Sequence, residues 1–224
     1  MKRSGSSLLA VLLASACMIS YSAFPPDGKA QSVLTVKLPE PKYDGPFSVE
    51  KALTERRSVR TYQDEALTLA EVSQLLWAAQ GITEPKRGLR TAPSPRALYL
   101  LETYVLPGNV SGLPMGMYRY QPKGHALVRV SEGDRKSDLF KAAGQAPIKN
   151  APAVILFSGM SDRATQPYWM YLEAGHAAQN VYLQAVTLKL GTVVMAGFKP
   201  EEVRKALNLE QKEQPIYIMP VGRK

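Results

Sequence analysis

The stretch ERRSVRTY, residues 55–62, brings three arginines and a serine together. Arg56, Arg57 and Arg60 carry planar guanidinium groups that can each donate two parallel hydrogen bonds to an oxyanion, and Ser58 adds a hydroxyl donor. These residues, called the arginine cluster below, suit a phosphate monoester. A solvated run of charge at the end of a helix is the simpler alternative, and the stretch alone leaves both interpretations open.

The remaining sequence offers little chemistry of its own. It has none of the glycine-rich nucleotide-binding patterns, no G-x-S-x-G and no H-E-x-x-H. Cys17 lies in the leader, His125 is predicted to be a surface residue, and His176 is predicted to be a core or interface residue. Neither a histidine-assisted hydrolase nor a histidine-rich metal site fits this composition, and no metal is predicted. Any chemistry is therefore expected to come from a bound cofactor.

The charge of the chain is strongly basic, with a formal net charge of +9. Its lysines and arginines are scattered and form no basic stripe interleaved with aromatic residues, so nucleic acid is not a predicted partner. The positive charge suits an anionic small molecule, an anionic membrane surface or no specific partner, and these three alternatives remain open.

The first 30 residues are predicted to be a signal peptide. A charged start precedes an apolar stretch from Leu8 to Ala16, which is too short to span a bilayer. Cys17 follows LLASA, which resembles a bacterial lipoprotein processing site; cleavage after Ala30 is the alternative. The protein is therefore expected to be exported, either as a periplasmic protein or as one anchored to the cell envelope by lipidated Cys17.

The body of the chain is predicted to be an extended proline-rich arm, residues 31–47, followed by one domain, residues 48–224. A short helix is expected from Ser48, its N-cap, with Val49, Ala52 and Leu53 on the inner face.

Two longer helices follow from the periodicity of the sequence. Thr68 and Glu71 have the spacing of a capping box, and Gly81 is expected to end the helix that they begin. Residues 171–190 predict a largely buried, alanine-rich helix that Gly191 ends. Apolar runs such as APAVILFSG predict strands between the helices, and the irregular order of elements indicates an α+β fold.

Seven blocks of the sequence, taken in order, resemble the nitroreductase superfamily, and within it the SagB-type dehydrogenases. The blocks are RRSVRTY, LTLAEVSQLLWAAQGIT, RTAPSPRALYLLETYVL, GLPMGMYRY, YLEAGHAAQNVYLQA, GTVVMAGF and PVGR. The resemblance extends from about Leu38 to the last residues. It implies a nitroreductase-like fold, with a central, mainly antiparallel sheet flanked by helices, and an intertwined homodimer with FMN at the subunit interface.

The resemblance also implies which residues contact FMN. Arg56, Arg57 and Ser58 match the segment at the phosphate and ribityl chain, and Arg60 matches a basic position facing the pyrimidine side of the ring. The other implied contacts are a loop from the partner subunit at Pro93, Ser94 and Pro95, backbone N–H groups near flavin N5 at Ala196 and Gly197, and a phosphate contact at Arg223.

Three positions depart from the pattern of the family. The loop usually reads P-S-small-Gly-Ala-Leu-Tyr-Pro, whereas residues 93–100 read PSPRALYL, with Pro95 and Arg96 where small residues are usual. Lys189 stands where glycine is common. Arg96 would narrow the substrate pocket, contact an anionic substrate or weaken flavin binding, and the sequence does not choose among these.

The function that the resemblance implies is an FMN-dependent oxidoreductase. It would transfer hydride by a ping-pong scheme through flavin N5, to or from a small organic substrate, with NAD(P)H or an organic molecule as donor. No catalytic side chain is predicted, since Tyr99, Tyr171 and Glu173 are conceivable proton donors with a simpler structural interpretation. The alternative is a non-catalytic exported binding protein that uses the same pocket for FMN or another anionic ligand.

Overall fold

The structure, a computed structural model, describes residues 34–224. The predicted signal peptide and Cys17 lie outside the described residues. The strands are β1 (Thr35–Lys37), β2 (Leu67–Thr68), β3 (Ile82–Glu84), β4 (Leu89–Arg90), β5 (Leu101–Pro107), β6 (Val110–Ser111), β7 (Gly116–Gln121), β8 (Ala126–Glu132), β9 (Ala153–Met160), β10 (Leu190–Thr192) and β11 (Glu213–Arg223). The helices are α1 (Val49–Glu55), α2 (Leu69–Gln80), α3 (Arg135–Ala143), α4 (Ala146–Asn150), α5 (Tyr168–Thr187) and α6 (Pro200–Ala206).

Seven of the strands form one sheet in the order β1-β8-β7-β5-β9-β11-β10, and every neighbouring pair is antiparallel. This arrangement, with helices on both faces, confirms the predicted α+β fold. The short strands β2 and β6, and β3 and β4, form separate two-stranded pairs.

The central strand β9 is buried along its whole length, as the apolar run APAVILFSG predicts. Its side chains alternate between two apolar clusters, because successive residues of a strand point to opposite faces. Ile155 and Phe157 pack with residues of α2 and α5, whereas Val154 and Leu156 pack with residues of α3, α4 and α6. One strand therefore contributes to the core on both faces of the sheet.

Helix α2 begins and ends where its sequence predicts. The Thr68 hydroxyl accepts a hydrogen bond from the Glu71 N–H (3.2 Å), and the Glu71 carboxylate accepts one from the Thr68 N–H (2.8 Å). Gly81 follows the last helical residue and donates its N–H to the Trp77 carbonyl. The capping-box prediction is confirmed.

The inner face predicted for α1 is wrong at two of three positions. Ser48 is the N-cap, as predicted, and Ala52 is buried. However, Val49 is 62% exposed and Leu53 is 54% exposed. The helix has only seven residues and contacts α5, so it covers a single small side chain and leaves its apolar flank open among the described residues.

Helix α5 confirms the predicted buried stripe but ends earlier than predicted. The alanine-rich stripe is buried at Ala174, Ala177, Ala178, Val181 and Ala185. The last helical residue is Thr187, and the left-handed backbone that follows the helix belongs to Lys189 (φ 59°). Gly191 lies inside β10 and does not end the helix. Lysine thus adopts the conformation for which glycine is usually required.

The predicted arm is partly a component of the domain. Strand β1 pairs with β8, and Leu38 is only 2% exposed, within the larger apolar cluster. The side-chain amide of Gln74 bonds both the N–H and the carbonyl of Lys42, which attaches the next segment to α2. A strand of three residues is too short to show periodicity, so the sequence does not indicate that residues 35–37 pair with the sheet.

His125 is buried, contrary to its predicted surface position. The turn between β7 and β8 folds back onto α2, and the imidazole lies 2.7 Å from the Ser73 hydroxyl and 2.8 Å from the Tyr120 hydroxyl. Burial lowers the pKa of His125. Its role is to join the turn to α2. No helix formed by residues 34–224 is both long and apolar enough to cross a membrane.

Candidate functional site

The arginine cluster lies at the edge of the sheet. Helix α1 ends at Glu55, and the next residues lie beside β10, where Ser58 bridges Thr192 in parallel and the Val59 N–H donates to the Thr192 carbonyl (2.9 Å). Gly191 permits this approach, since a Cβ at residue 191 would meet the Val59 side chain at 2.6 Å. The fold therefore fixes the cluster against the strand that leads to Ala196 and Gly197.

Tyr182 of α5 connects these two segments. Its hydroxyl lies 3.2 Å from the Ser58 hydroxyl and accepts a hydrogen bond from the Val194 N–H (2.8 Å). The Arg56 guanidinium lies 5.1 Å from the centroid of the Tyr182 ring, a cation–π distance. Tyr182 thus brings together Arg56, Ser58 and the segment after β10 that leads to Ala196.

The donors of the arginine cluster fit an anion. Among residues 34–224, Arg56, Arg57 and Arg60 have no carboxylate within ion-pair distance. Arg57 uses Nη1 for the carbonyls of Thr54 (3.0 Å) and Arg56 (2.7 Å), which leaves its other nitrogens available. Several unpaired guanidinium groups beside a hydroxyl provide the donors that a phosphate requires.

Ala196 and Gly197 follow the segment that Tyr182 links to Ser58, and they present free backbone donors. Both residues are exposed, and neither N–H has an acceptor within the described chain. The Gly197 carbonyl is fixed by Gln145, whose Nε2 donates to it at 2.9 Å. Two exposed N–H groups on a positioned backbone fit the role that the resemblance implies for them, a contact near flavin N5.

Arg223 lies on β11, opposite Leu190 of β10, and its guanidinium pairs with two carboxylates. Its Nη1 donates to Glu71 Oε1 at 2.7 Å, its Nη2 donates to Glu71 Oε2 at 3.2 Å, and its Nε lies 3.3 Å from Glu65. The guanidinium therefore joins the last strand to the capping box of α2. A contact between Arg223 and a flavin phosphate stays a prediction, and it would require this ion pair to open.

Burial alone would raise the pKa of Glu71. Hydrogen bonds from Thr68 and Arg223 outweigh burial, so the net pKa is lowered from the usual 4.5. Because the folded-state pKa lies below that of the unfolded chain, the carboxylate stabilises the fold above the unfolded-chain pKa. This contribution is lost as pH falls through the folded-state value.

Replacing Glu71 with glutamine should remove this pH-dependent contribution. Glutamine still serves a capping box, but it cannot form the ion pair with Arg223. We expect the free energy of unfolding to fall by about 1 kcal/mol near pH 7 and by less near pH 3, because protonation of Glu71 weakens the same ion pair in the wild type. Denaturant titrations at both pH values measure it. Glu202→Gln, at an exposed pair with Lys199, is the control. An equal loss at both pH values would contradict the assignment.

The loop of residues 93–100 contacts a different part of α5. The Ser94 hydroxyl donates to Glu173 (2.8 Å), and His176 Nδ1 lies 3.1 Å from the Pro93 carbonyl. Glu173 and Tyr182 are nine residues apart, about 14 Å along the helix axis. Within one chain, the loop of Pro93, Ser94 and Pro95 therefore lies away from the arginine cluster. This position is compatible with a loop that contributes to the site of a second subunit.

The same loop contains a run of unusual backbone conformations. Arg96 (φ 55°), Ala97 (φ 56°) and Tyr99 (φ 50°) all lie in the left-handed region, where residues other than glycine are uncommon. Arg96 stands where the resemblance implies a glycine. The departure seen in the sequence is thus a bulky residue in a conformation that glycine adopts at lower cost.

Two residues that position the site were missed by the sequence interpretation. Tyr182 shares a helix stripe with Ala178 and Ala185, and its ring among alanines was the one available signal, because a partly buried tyrosine hydroxyl needs a partner. Gln145 follows the left-handed Gly144 at the end of α3, and nothing in its sequence context indicates its contact with Gly197.

The structure combines an antiparallel α+β fold with arginines, at one edge of the sheet, that have no carboxylate partner among residues 34–224. Residues 53–223 match the model of the Nitroreductase family, and the chain belongs to that family. The predicted superfamily is thereby confirmed. Membership places the protein among oxidoreductases.

The relatives agree in sequence and in fold. A protein of Methanocaldococcus jannaschii assigned as a nitroreductase is 42% identical over 185 residues, which cover 80% of this chain and 92% of the relative. A solved structure from Ralstonia eutropha JMP134, also assigned as a nitroreductase, has a TM-score of 0.75 and 30% identity, covering 84% of this chain and 89% of the other.

Two more distant structures share the fold. A nitroreductase-type protein of Desulfovibrio desulfuricans, solved with FMN, has a TM-score of 0.60 and 21% identity over 80% of this chain and 87% of the other. The E. coli microcin synthetase McbBCD complex, solved with truncated pro-MccB17, contains a chain with a TM-score of 0.65 and 20% identity, covering 98% of this chain and 84% of that one.

Proposed function

We propose that the protein is an FMN-dependent oxidoreductase that acts on a small organic substrate. The observation that carries this proposal is a set of guanidiniums beside Ser58 that have no carboxylate partner among residues 34–224. Tyr182 links Ser58 to Val194, two residues before Ala196. Family membership supports it, as does the FMN complex of the Desulfovibrio desulfuricans protein. The SagB-type assignment rests on the sequence blocks and is part of the proposal.

In this function the chain binds and orients a cofactor. Bound FMN would supply reversible two-electron chemistry, with hydride arriving at or leaving from N5. Arg56, Arg57 and Ser58 would hold the phosphate and ribityl chain, and Arg60 would place positive charge at the pyrimidine side of the ring. The N–H groups of Ala196 and Gly197 would donate at the N5 side. NAD(P)H is the electron donor that we propose to test first.

A homodimer would complete the site. The loop of residues 93–100 lies away from the arginine cluster of its own chain, so a second subunit would have to bring it there. Large apolar side chains are exposed near both elements: Val49, Leu53, Leu98, Tyr168 and Leu172. Burial of such side chains in a subunit interface would stabilise association. We also propose export to the periplasm or the envelope, with or without lipidation of Cys17.

The proposed function is tested by the spectrum of the purified protein. We expect one FMN per chain, recognised by the visible absorbance of oxidised flavin, and bleaching of that absorbance when NADH or NADPH is added without oxygen. A protein that stays colourless after reconstitution with FMN would contradict the proposal. Sedimentation of the yellow protein as a monomer would contradict the dimer alone.

The alternative function is a non-catalytic binding protein that uses the same cluster for FMN or another anion. The strained loop with its exposed Arg96 is the observation that favours it, because such a loop would disturb a flavin site. FMN that binds but is not reduced by any donor of a broad panel would support this alternative.

A further inference from the structure

Arg96 is an exposed cation whose side chain has no role in holding the described fold together. Among residues 34–224, its side chain forms no ion pair and no hydrogen bond, although other arginines of the chain do. Arg135, Arg163 and Arg204, for example, each pair with a carboxylate. The guanidinium of Arg96 is thus a free, permanently charged donor.

The loop is held in place by groups other than the Arg96 side chain. The Ser94 hydroxyl donates to Glu173 and accepts from the Tyr99 N–H (2.8 Å), while the Leu100 N–H donates to the same carboxylate (2.9 Å). Arg90 lies over the Tyr99 ring at 4.3 Å, and its N–H donates to the Tyr99 hydroxyl. These contacts fix both ends of the loop, and none requires an arginine at position 96.

The backbone at position 96 disfavours arginine. At φ 55° a Cβ crowds the neighbouring peptide, and glycine avoids that cost. Strain of this kind persists where surrounding structure enforces it, and it concentrates at functional sites. Arg96 therefore combines a costly backbone conformation with an exposed charge that no residue of 34–224 pairs, on a loop held at both ends.

We propose that Arg96 binds an anionic group of the substrate, with a carboxylate as the probe chemistry, and that it makes the enzyme select negatively charged molecules. This inference rests on the proposed function, because only there does the loop border the flavin. A guanidinium gives a carboxylate two parallel hydrogen bonds that a neutral amide cannot fully replace.

The test compares benzoate with benzamide, two ligands of the same shape that differ in charge. Each is titrated into the FMN-loaded protein, and its dissociation constant is read from the shift of the flavin absorbance, which needs no turnover. We expect the wild type to bind benzoate about tenfold more tightly than benzamide, the factor that one charge-assisted hydrogen bond provides. Arg96→Ala should abolish that preference, and Arg96→Lys should restore part of it.

Lys189→Ala is the matched control. Lys189 is also an exposed cation at positive φ (59°), but it lies in the turn after α5. Its removal changes net charge and backbone context as Arg96→Ala does, so the benzoate preference should stay. A loss equal to that of Arg96→Ala would overturn the proposal in favour of a general electrostatic effect.

Arg96→Gly separates strain from function. We expect this variant to lose the benzoate preference and to melt about 2 °C higher than the wild type, because glycine relieves the left-handed backbone. If FMN binds but the wild type does not distinguish benzoate from benzamide, this inference fails and the proposed function stands. If no FMN binds at all, the proposed function itself fails.

Discussion

Replacing Arg57 with alanine is expected to weaken FMN binding by about 1.5–3 kcal/mol, or about 10- to 150-fold in Kd. The guanidinium has no carboxylate partner among the described residues, and its free nitrogens can bond phosphate oxygens at once. Alanine removes the positive charge and the donors together. Equilibrium titration of the apoprotein, followed by quenching of flavin fluorescence, measures the change.

Two further variants make this result specific. Arg87→Ala removes an exposed arginine from the turn between β3 and β4 and should leave FMN affinity unchanged. Arg223→Ala should lower stability, because Glu71 and Glu65 lose their partner, and should affect FMN less than Arg57→Ala does. Unchanged affinity in Arg57→Ala would mean that the phosphate lies elsewhere. An equal loss in Arg223→Ala would mean that its ion pair opens to admit the phosphate.

Replacing Glu173 with alanine is expected to lower the free energy of unfolding by about 3–5 kcal/mol, the cost of breaking a buried charged network. The carboxylate is fully buried and accepts hydrogen bonds from Ser94 and Leu100, with Gln80 at 3.3 Å. Its removal leaves three donors unpaired and releases the loop of residues 93–100. Thermal denaturation should show a melting temperature lower by roughly 10 °C.

Glutamine at position 173 is the conservative variant. It keeps the volume and one carbonyl acceptor, so we expect a smaller loss than with alanine. Glu202→Ala, at an exposed glutamate on α6, should change stability little and serves as the matched control. A Glu173→Ala variant as stable as Glu202→Ala would show that Ser94 and Leu100 find other partners and that the carboxylate does not hold the loop.

Elements set by local sequence were predictable. The capping box of Thr68 and Glu71 depends on residues three apart, and both of its hydrogen bonds are present. A continuous apolar run predicted the buried central strand β9, and the helical spacing of small residues predicted the buried stripe of α5. In each case the information lies within one element, where the period of the chain decides which side chains share a face.

Properties that depend on distant segments were not predictable from sequence. Val49 and Leu53 have the right spacing for burial, yet more than half of each residue's surface stays exposed in the described chain. The sequence around His125 predicts a turn and hence an exposed side chain, but it does not indicate that this turn packs against α2. Lys189 takes the left-handed position that glycine was expected to fill, since tertiary contacts override the preference of a single residue.

The candidate site shows the same division. The arginine cluster was recognisable from its residue types, because guanidiniums and a hydroxyl suit a phosphate wherever they converge. The partner of Arg223 was not recognisable, since Glu71 is 152 positions away and only the fold brings the two charges together. Tyr182 was not recognisable for the same reason, since Arg56 and Ser58 lie more than 120 positions before it in the sequence.

Strand β9 contributes side chains to both apolar clusters, one on each face of the sheet. Since Ile155 and Phe157 face one apolar cluster while Val154 and Leu156 face the other, neither cluster can be hydrated without disturbing the strand that both share. Melting of the described domain should therefore be a single cooperative event. The amide protons of this strand would then exchange with solvent only when the whole domain opens.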